Sequence, residues 1–329
     1  MTNHPLAEGS PLRHHPSRTA DAPGRRPVMV AIAGDSASGK TTLARGLAEA
    51  IGEDRCTSIS VDDYHRYTRA ERRSLGITPL DPRHNHIDIM EQHLQLLALG
   101  QPILKPVYDH RDGTIRAPEY VVPSEFVIVE GLFPLHTKLA RACFDLGVYL
   151  DPPEAIRHAW KVARDTAERG YTEEEVRREL ALREPDSEAY IRPQRRDADI
   201  VIRFAAEDET GAADGSGVPA TAGSGPLSAE LLLRPTIPHP SLINILTDDV
   251  RAAMQMRIIR DVDGTPVDAL EVHGRAQPGE MYRLKQAIWE GVSVGRPLPT
   301  GLGATSSGDR SESLAITQLL LLYHLRQPV

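Results

Sequence analysis

Cysteine is nearly absent. The 329-residue chain holds two, Cys56 and Cys143. Two thiols cannot build a disulfide framework and are too few for a zinc site. Long apolar runs are missing as well. No window approaches the roughly 18 consecutive apolar residues of a membrane span. Residues 1–27 are polar and rich in His, Arg and Pro, without the apolar core of a secretory signal, so a cytosolic protein without a membrane partner is expected. Positive charge is in deficit, with 38 Lys and Arg against 46 Asp and Glu and a net charge of −8. That argues against a nucleic-acid partner, because such binders carry a basic footprint. Lysine is scarcer still: only five of the 38 basic residues are lysine. A skew of that kind follows genome composition, and it makes each retained lysine informative. No internal repeat is visible.

What is present is ordinary for a globular protein. Apolar residues make up 40% and charged residues 26%, enough for a sizeable core. The length fits two domains, or one large α/β domain with an appendage. Residues 1–27 read as a disordered tail, whose His4, His14 and His15 are better read as solvated than as a metal site. Residues 206–228, almost wholly Gly, Ala, Ser, Asp, Glu and Pro, read as a flexible linker or loop. Between them, over 28–205, short apolar runs at 28–33, 57–61, 126–129, 147–150 and 199–204 lack strict alternation, as strands covered on both faces do. Helical stretches at 42–51, 88–99 and 153–169 separate them. This is the pattern of an α/β fold, a mostly parallel sheet flanked by helices. Over 229–329 the character changes. Runs at 254–260 and 266–273 flank the turn signal Asp263-Gly264. A helix is expected from 280 to 291. Another is expected from 311 to 326, capped by Ser311, with an almost continuous apolar face. That face must be buried against the sheet or against another chain, and the segment reads as a C-terminal α+β appendage packed on the first domain.

The strongest chemical signal is Gly34-Asp35-Ser36-Ala37-Ser38-Gly39-Lys40-Thr41, continued by Thr42. Two glycines at this spacing, then Lys and a hydroxyl residue, between an apolar strand and a helix, form a phosphate-binding loop. Its backbone N–H groups cradle phosphate oxygens. Lys40 gives a point charge to the outer phosphates, and the Thr41 hydroxyl reaches Mg²⁺. A second run, 126–129, ends in Glu130, a carboxylate placed to help hold the same Mg²⁺. A third, Val61-Asp62-Asp63-Tyr64-His65, sets an acid at a strand's C-terminal end, where ligands bind in a parallel sheet. A hydroxyl acceptor needs a base there; the plainer reading is a solvated turn. In the helix after Asp151, Lys161, Arg164 and Asp165 lie three and four residues apart and Arg169 one turn further, before the terminating Gly170. Beside a phosphate loop this basic face suggests a lid.

Together these residues resemble phosphoribulokinases, within the wider phosphoribulokinase/uridine kinase group of P-loop kinases. The likeness runs through 34–42, Asp62-Asp63-Tyr64-His65, 78–83, Lys105-Pro106-Val107-Tyr108-Asp109-His110, 127–134, the 159–170 helix and 183–194. It covers about residues 28–204 and looks closer to the dimeric plant, cyanobacterial and archaeal type. The resemblance implies transfer of phosphate from ATP to D-ribulose 5-phosphate, giving the ribulose 1,5-bisphosphate of Calvin-cycle carbon fixation, by a homodimer using Mg²⁺. It implies Asp62 as base toward the O1 hydroxyl, with Lys40 and Lys161 neutralising the moving phosphoryl group. Thr41 and Glu130 organise the metal, and Asp165 also belongs to the active site. His65, Arg69, Tyr108, His110, Arg164 and Arg169 fall at sugar-phosphate positions. An anionic acceptor does call for cations beyond those gripping ATP. A nucleoside or other sugar kinase, and a silent nucleotide-binding protein, are the competing readings. Ser38 and Ser60 stand where plant-type enzymes carry their two regulatory cysteines, so no dithiol switch through that pair is expected. Beyond 204 the match fades, although the hairpin and the last helix look like the family's closing elements.

Overall fold

The computed structural model describes residues 26–206, 226–237, 239, 241–292, 297–305 and 308–326. Most of the tail expected at 1–27 and of the linker expected at 206–228 lies outside the described residues.

The chain begins with β1 (Val28–Gly34), α1 (Lys40–Ile51) and β2 (Cys56–Ser60), followed by α2 (Arg69–Leu75) and α3 (Ile87–Ala98). A hairpin of β3 (Ile103–Asp109) and β4 (Thr114–Val121) leads into β5 (Phe126–Gly131), the short α4 (Lys138–Arg141) and β6 (Leu146–Leu150). Two helices, α5 (Glu154–Arg169) and α6 (Glu173–Asp186), precede β7 (Ile200–Ala206). The remainder supplies β8 (Leu227–Leu233), β9 (Met254–Arg260), β10 (Pro266–Val272), α7 (Pro278–Val292) and α8 (Glu312–Arg326).

Eight strands form one sheet in the order β2-β5-β1-β6-β7-β8-β10-β9. The first five are parallel and the last three join antiparallel. The fold is α/β, a sheet flanked by helices. β8 pairs with β7 along its length, from Ile200↔Leu233 to Ala206↔Leu227. The C-terminal segment therefore extends the central sheet. β8 carries only the short run Leu231, Leu232 and Leu233 behind a mixed start, Leu227-Ser228-Ala229-Glu230, which is why no strand is expected there from sequence. The β3–β4 hairpin is likewise unexpected. It forms a separate two-stranded sheet, and β4 is exposed along most of its length.

Strand residues alternate between the two faces of the sheet. Val30, Ile32, Phe126 and Ile128 face α1, α7 and α8, while Met29, Val127 and Val129 face α3 and α4. The leucine face of α8 packs into the first core, with Ile316, Leu319, Leu320, Leu321 and Leu322 all fully buried. Ser311 caps this helix as expected, accepting the Leu314 N–H at 3.3 Å. The turn between β9 and β10 closes at Gly264, φ 83°. Helix α5 starts after Pro153, and the Asp151 carboxylate before it accepts from Arg195 Nε at 2.8 Å.

Helix α1, which opens at the phosphate loop, is held from behind by α8. Gln318 is fully buried, accepts from Gly303 N–H at 2.8 Å and leaves no room beside Gly46. A Cβ on Gly46 would stand 2.0 Å from Gln318 Nε2. Overpacking of this kind costs about 1–3 kcal/mol. Gly46→Ala should lower stability by that amount, measured as a shift in denaturant midpoint, and an unchanged midpoint would show the contact to be slack.

Candidate active site

The glycine-rich loop links β1 to α1 at the C-terminal edge of the parallel strands, where ligands bind in such sheets. Its backbone needs unusual conformations. Gly39 has φ 96°, and Ala37, at φ 63°, is a non-glycine residue in the left-handed region. Such backbone turns successive N–H groups into an anion-binding concavity. Lys40 is nearly buried, and its Nζ donates to the Asp35 carbonyl at 2.7 Å. Burial holds its pKa below the ordinary lysine value. Thr41 Oγ1 donates to Glu130 Oε1 at 3.2 Å. Burial lifts the Glu130 carboxyl to about 6, against the pull of Lys40. A hydroxyl and a buried carboxylate side by side are hard oxygen donors, which fits Mg²⁺. Among the described residues no group of three or more His, Cys, Asp or Glu could hold an ion by itself.

Asp62 and Asp63 sit in the 3-10 turn Val61–Tyr64 after β2 and do different work. Asp63 is a brace. It accepts from Tyr108 N–H at 2.9 Å and pairs with the buried Lys105, tying β3 to this turn. Asp62 faces the cleft. One of its oxygens is 3.9 Å from His110 Nε2, and the other, Oδ1, is buried without a hydrogen-bond partner. Burial pushes the Asp62 carboxyl up, but His65, His110, Lys40 and Arg164 outweigh it and the net shift is downward. Burial also depresses both histidines. His65 has a fixed tautomer. Asn85 Nδ2 donates to the carbonyls of Pro79 and Asp81, so Asn85 Oδ1 is an acceptor and His65 Nδ1, 2.6 Å away, must donate. Tyr108 stacks edge-on against both His65 and His110, and its hydroxyl accepts from Arg72 at 2.7 Å.

The lid helix departs from expectation. Arg157, Lys161 and Asp165 recur every four residues, and this stripe of α5 is buried. Lys161 is fully buried, with Nζ 2.6 Å from Asp165 Oδ2 and 3.6 Å from Glu179 on α6. Asp165 also pairs with Arg164 Nε at 2.8 Å and Arg169 at 3.4 Å. Arg164 and Arg169 face the cleft; Lys161 and Asp165 stand behind its wall. Asp165 on the same helix and Glu179 on α6 draw the lysine inward, and a single helix face read from sequence does not register the second of them.

The cleft measures about 1500 Å³ and brings together Ser36 to Thr42, Asp62, His65, Arg69, Tyr108, His110, Glu130, Arg164 and Arg169. Gly34 and Asp35 are not in its wall. A Cβ on Gly34 would stand 2.8 Å from the Leu150 carbonyl, so that glycine serves the tight turn. Sequence reading missed other lining residues. Arg45 lies four residues after Thr41, a spacing that could have flagged it. Arg72, Arg73, Trp160 and Arg183 also line the cleft, as do Thr305, Asp309 and Ser311. The last three reach it only because the segment before α8 folds over α1, with Gly301 N–H donating to Glu49 Oε1 at 2.7 Å. No local pattern announces that. Nine lysines and arginines against six carboxylates leave the cleft cationic although the chain is acidic.

Residues 29–211 match the profile of the phosphoribulokinase/uridine kinase family, more than half of the chain. The chain belongs to this family. It is 44% identical over 178 residues to a phosphoribulokinase of Synechocystis sp., covering 54% of each chain. It is 36% identical over 192 residues to a chloroplastic phosphoribulokinase of Mesembryanthemum crystallinum, covering 53% of this chain and 48% of that one. A uridine kinase of Brevibacillus brevis is 34% identical over 183 residues, 54% of this chain and 84% of the relative. The chain thus spans about half the length of the phosphoribulokinases it matches. Among solved structures, phosphoribulokinase from Rhodobacter spheroides superposes with a TM-score of 0.56 at 18% identity, over 80% of this chain and 94% of that one. At that identity the likeness concerns the fold alone.

The buried histidines set a pH dependence. His65 and His324 are each held down to about 4 by burial, whereas an unfolded histidine titrates near 6.5. The unfolded chain binds more protons between those values, so stability falls as pH drops from about 6.5 toward 4, by up to about 3 kcal/mol per histidine. Urea midpoints at pH 7 and pH 5 should show the loss, and His65→Gln should shrink it. A flat profile would mean that both histidines titrate in the folded protein as they do in the unfolded chain.

Proposed function

We infer that the chain transfers the γ-phosphoryl group of ATP to the O1 hydroxyl of D-ribulose 5-phosphate, giving ribulose 1,5-bisphosphate. The observation that carries this reading is convergence. Asp62, Arg69, Arg164 and Arg169 line the same cleft as the phosphate loop. They also act on one another electrostatically: Lys40 with Asp62 and Arg164, His110 with Asp62, Arg69 and Arg169. An acceptor that is itself a phosphate ester must be held beside ATP against strong repulsion, and arginine offers paired donors for it. A nucleoside acceptor needs no such group of guanidiniums.

Loop N–H groups and Lys40 hold the ATP phosphates. The Asp62 carboxylate, which lines the cleft, accepts the proton of the sugar hydroxyl as that oxygen bonds to the γ-phosphorus and the bond from the phosphorus to the departing ADP oxygen breaks. Arg69, Arg169, His110, His65 and Tyr108 orient the sugar phosphate, and Arg164 lies toward Lys40 and the transferring group. Thr41 and Glu130 would hold Mg²⁺, which when bound neutralises phosphate charge. Lys161 and Asp165, expected at the reacting atoms, have a geometry that supports holding Arg164 and Arg169 in place. A homodimer belongs to the same reading. β9 is the outer strand of the sheet and exposes Met256 and Ile258, an edge that a second copy would extend.

The similarity to uridine kinases favours the competing reading, a nucleoside kinase. Purified protein given ATP and each acceptor in turn separates them: ribulose 5-phosphate should be phosphorylated in preference to uridine, and the reverse preference overturns the assignment. Asp62→Asn should bind ATP as the parent does and lose roughly 10²–10⁴-fold in turnover. Near-parental turnover would dismiss Asp62 as the base, and absence of turnover in the parent with every acceptor would leave a nucleotide-binding protein.

The thiols are placed against redox control. Cys56 packs into one core and Cys143 into the other, on opposite faces of the sheet. Burial pushes the Cys56 thiol up to about 11 and raises Cys143 as well, so neither is a ready thiolate. Dithiothreitol or mild oxidant should leave turnover unchanged, and a large reversible loss on oxidation would contradict this.

A further inference from the structure

Asp35 is an odd residue to find in a phosphate cradle, because a carboxylate there repels the ligand. Its side chain is turned away from the cleft and is 6% exposed. The carboxylate accepts from Ser36 N–H at 2.6 Å and from the Ser187 hydroxyl, and it lies 3.3 Å from Arg157. Ser187 and Arg157 are as deeply buried as Asp35. They are also the two roots of the α5–α6 pair. Arg157 sits in the first turn of α5, and Ser187 opens the π-helical turn Ser187–Ile191 where α6 ends. π turns inside helices are frequent at functional sites. Meanwhile the Asp35 backbone carbonyl holds Lys40 Nζ at 2.7 Å and Ser38 N–H at 3.2 Å. One residue therefore grips the loop lysine through its backbone and both roots of the lid through its side chain.

We propose that Asp35 is a positioning residue that couples ATP in the loop to the placement of the α5–α6 pair, and with it of Arg164 and Arg169. The proposal rests on the reading of this cleft as an ATP site. When phosphate draws Lys40 off the Asp35 carbonyl, the loop shifts, and Arg157 and Ser187 carry the shift to the lid. An acid is tolerated at this position because its charge faces Arg157 rather than the ligand.

Coupling of this kind is reciprocal, so the effect of ATP on the lid equals the effect of the lid on ATP affinity. The test is ATP affinity by calorimetry together with hydrogen exchange of the α5 and α6 amides, with and without Mg·ATP. In the parent, ATP should slow exchange in both helices. Asp35→Asn should abolish most of that protection and weaken ATP by a matching factor, about tenfold for a typical coupling. Arg157→Met, a residue outside the cleft wall, should do the same, and the double variant should be no worse than the poorer single. Ser187→Ala leaves both charges paired and replaces either variant that fails to fold. Unchanged ATP affinity and lid protection in Arg157→Met, or losses that multiply in the double variant, would overturn the proposal. ATP binding and lid protection without phosphorylation of any acceptor would sink the kinase assignment and leave the coupling standing. Failure of the parent to bind ATP would sink both.

Discussion

A carboxylate with 1% of its surface exposed, Asp165, pairs with three cations at once: Lys161, Arg164 and Arg169. Guanidiniums crowded beside a phosphate site repel one another and lose hydration. Arg169 is accordingly held below its ordinary pKa, by burial first and then by Arg164. A buried acid behind them offsets both effects, meeting Arg164 at Nε and Arg169 at one Nη. Breaking such a group by removing one partner is strongly unfavourable, because the others are left buried and uncompensated. The proposed anion-binding site depends on this arrangement before any ligand arrives.

The same device recurs around the cleft. Asp63 with Lys105 pins the β3–β4 hairpin, and so Tyr108 and His110, to the turn bearing Asp62. Asp35 with Arg157 and Ser187 pins the phosphate loop to the α5–α6 pair. In each case an acid and a base from distant parts of the chain are buried together, and a neighbouring residue is thereby aimed into the cleft. This accounts for two of the five lysines, Lys105 and Lys161. Both are buried braces in the observed arrangement, while Lys40 serves the loop.

The sheet supplies the frame. β1 lies between β5 and β6, so the loop after it, Glu130 at the end of β5 and the root of α5 after β6 emerge side by side. β8, β10 and β9 extend the sheet on the far side, and α8 lies across α1 with its leucines in the shared core. The C-terminal segment thereby joins the cleft through Thr305, Asp309 and Ser311, and supports the loop from behind through Gln318.

Much of this was legible along the chain. The five parallel strands, the glycine loop, the acid after β2 and the cationic helix all show themselves in short windows, because strand burial, phosphate cradling and helix faces are local consequences of residue order. The α8 face, which by its pattern alone could meet the sheet or another chain, is covered within one chain by the sheet together with α1 and α7. The direction of Lys161, the brace at Asp63, the outward turn of Asp35 and the entry of residues 305–311 into the cleft were not legible. Lys161 turns toward an acid of its own helix, Asp165, and one of the next helix, Glu179; the others depend on a charge or a carbonyl from a segment tens to hundreds of residues away. Local pattern records what a residue can do, and long-range packing, through the cost of burying an unpaired charge, selects which of those things it does.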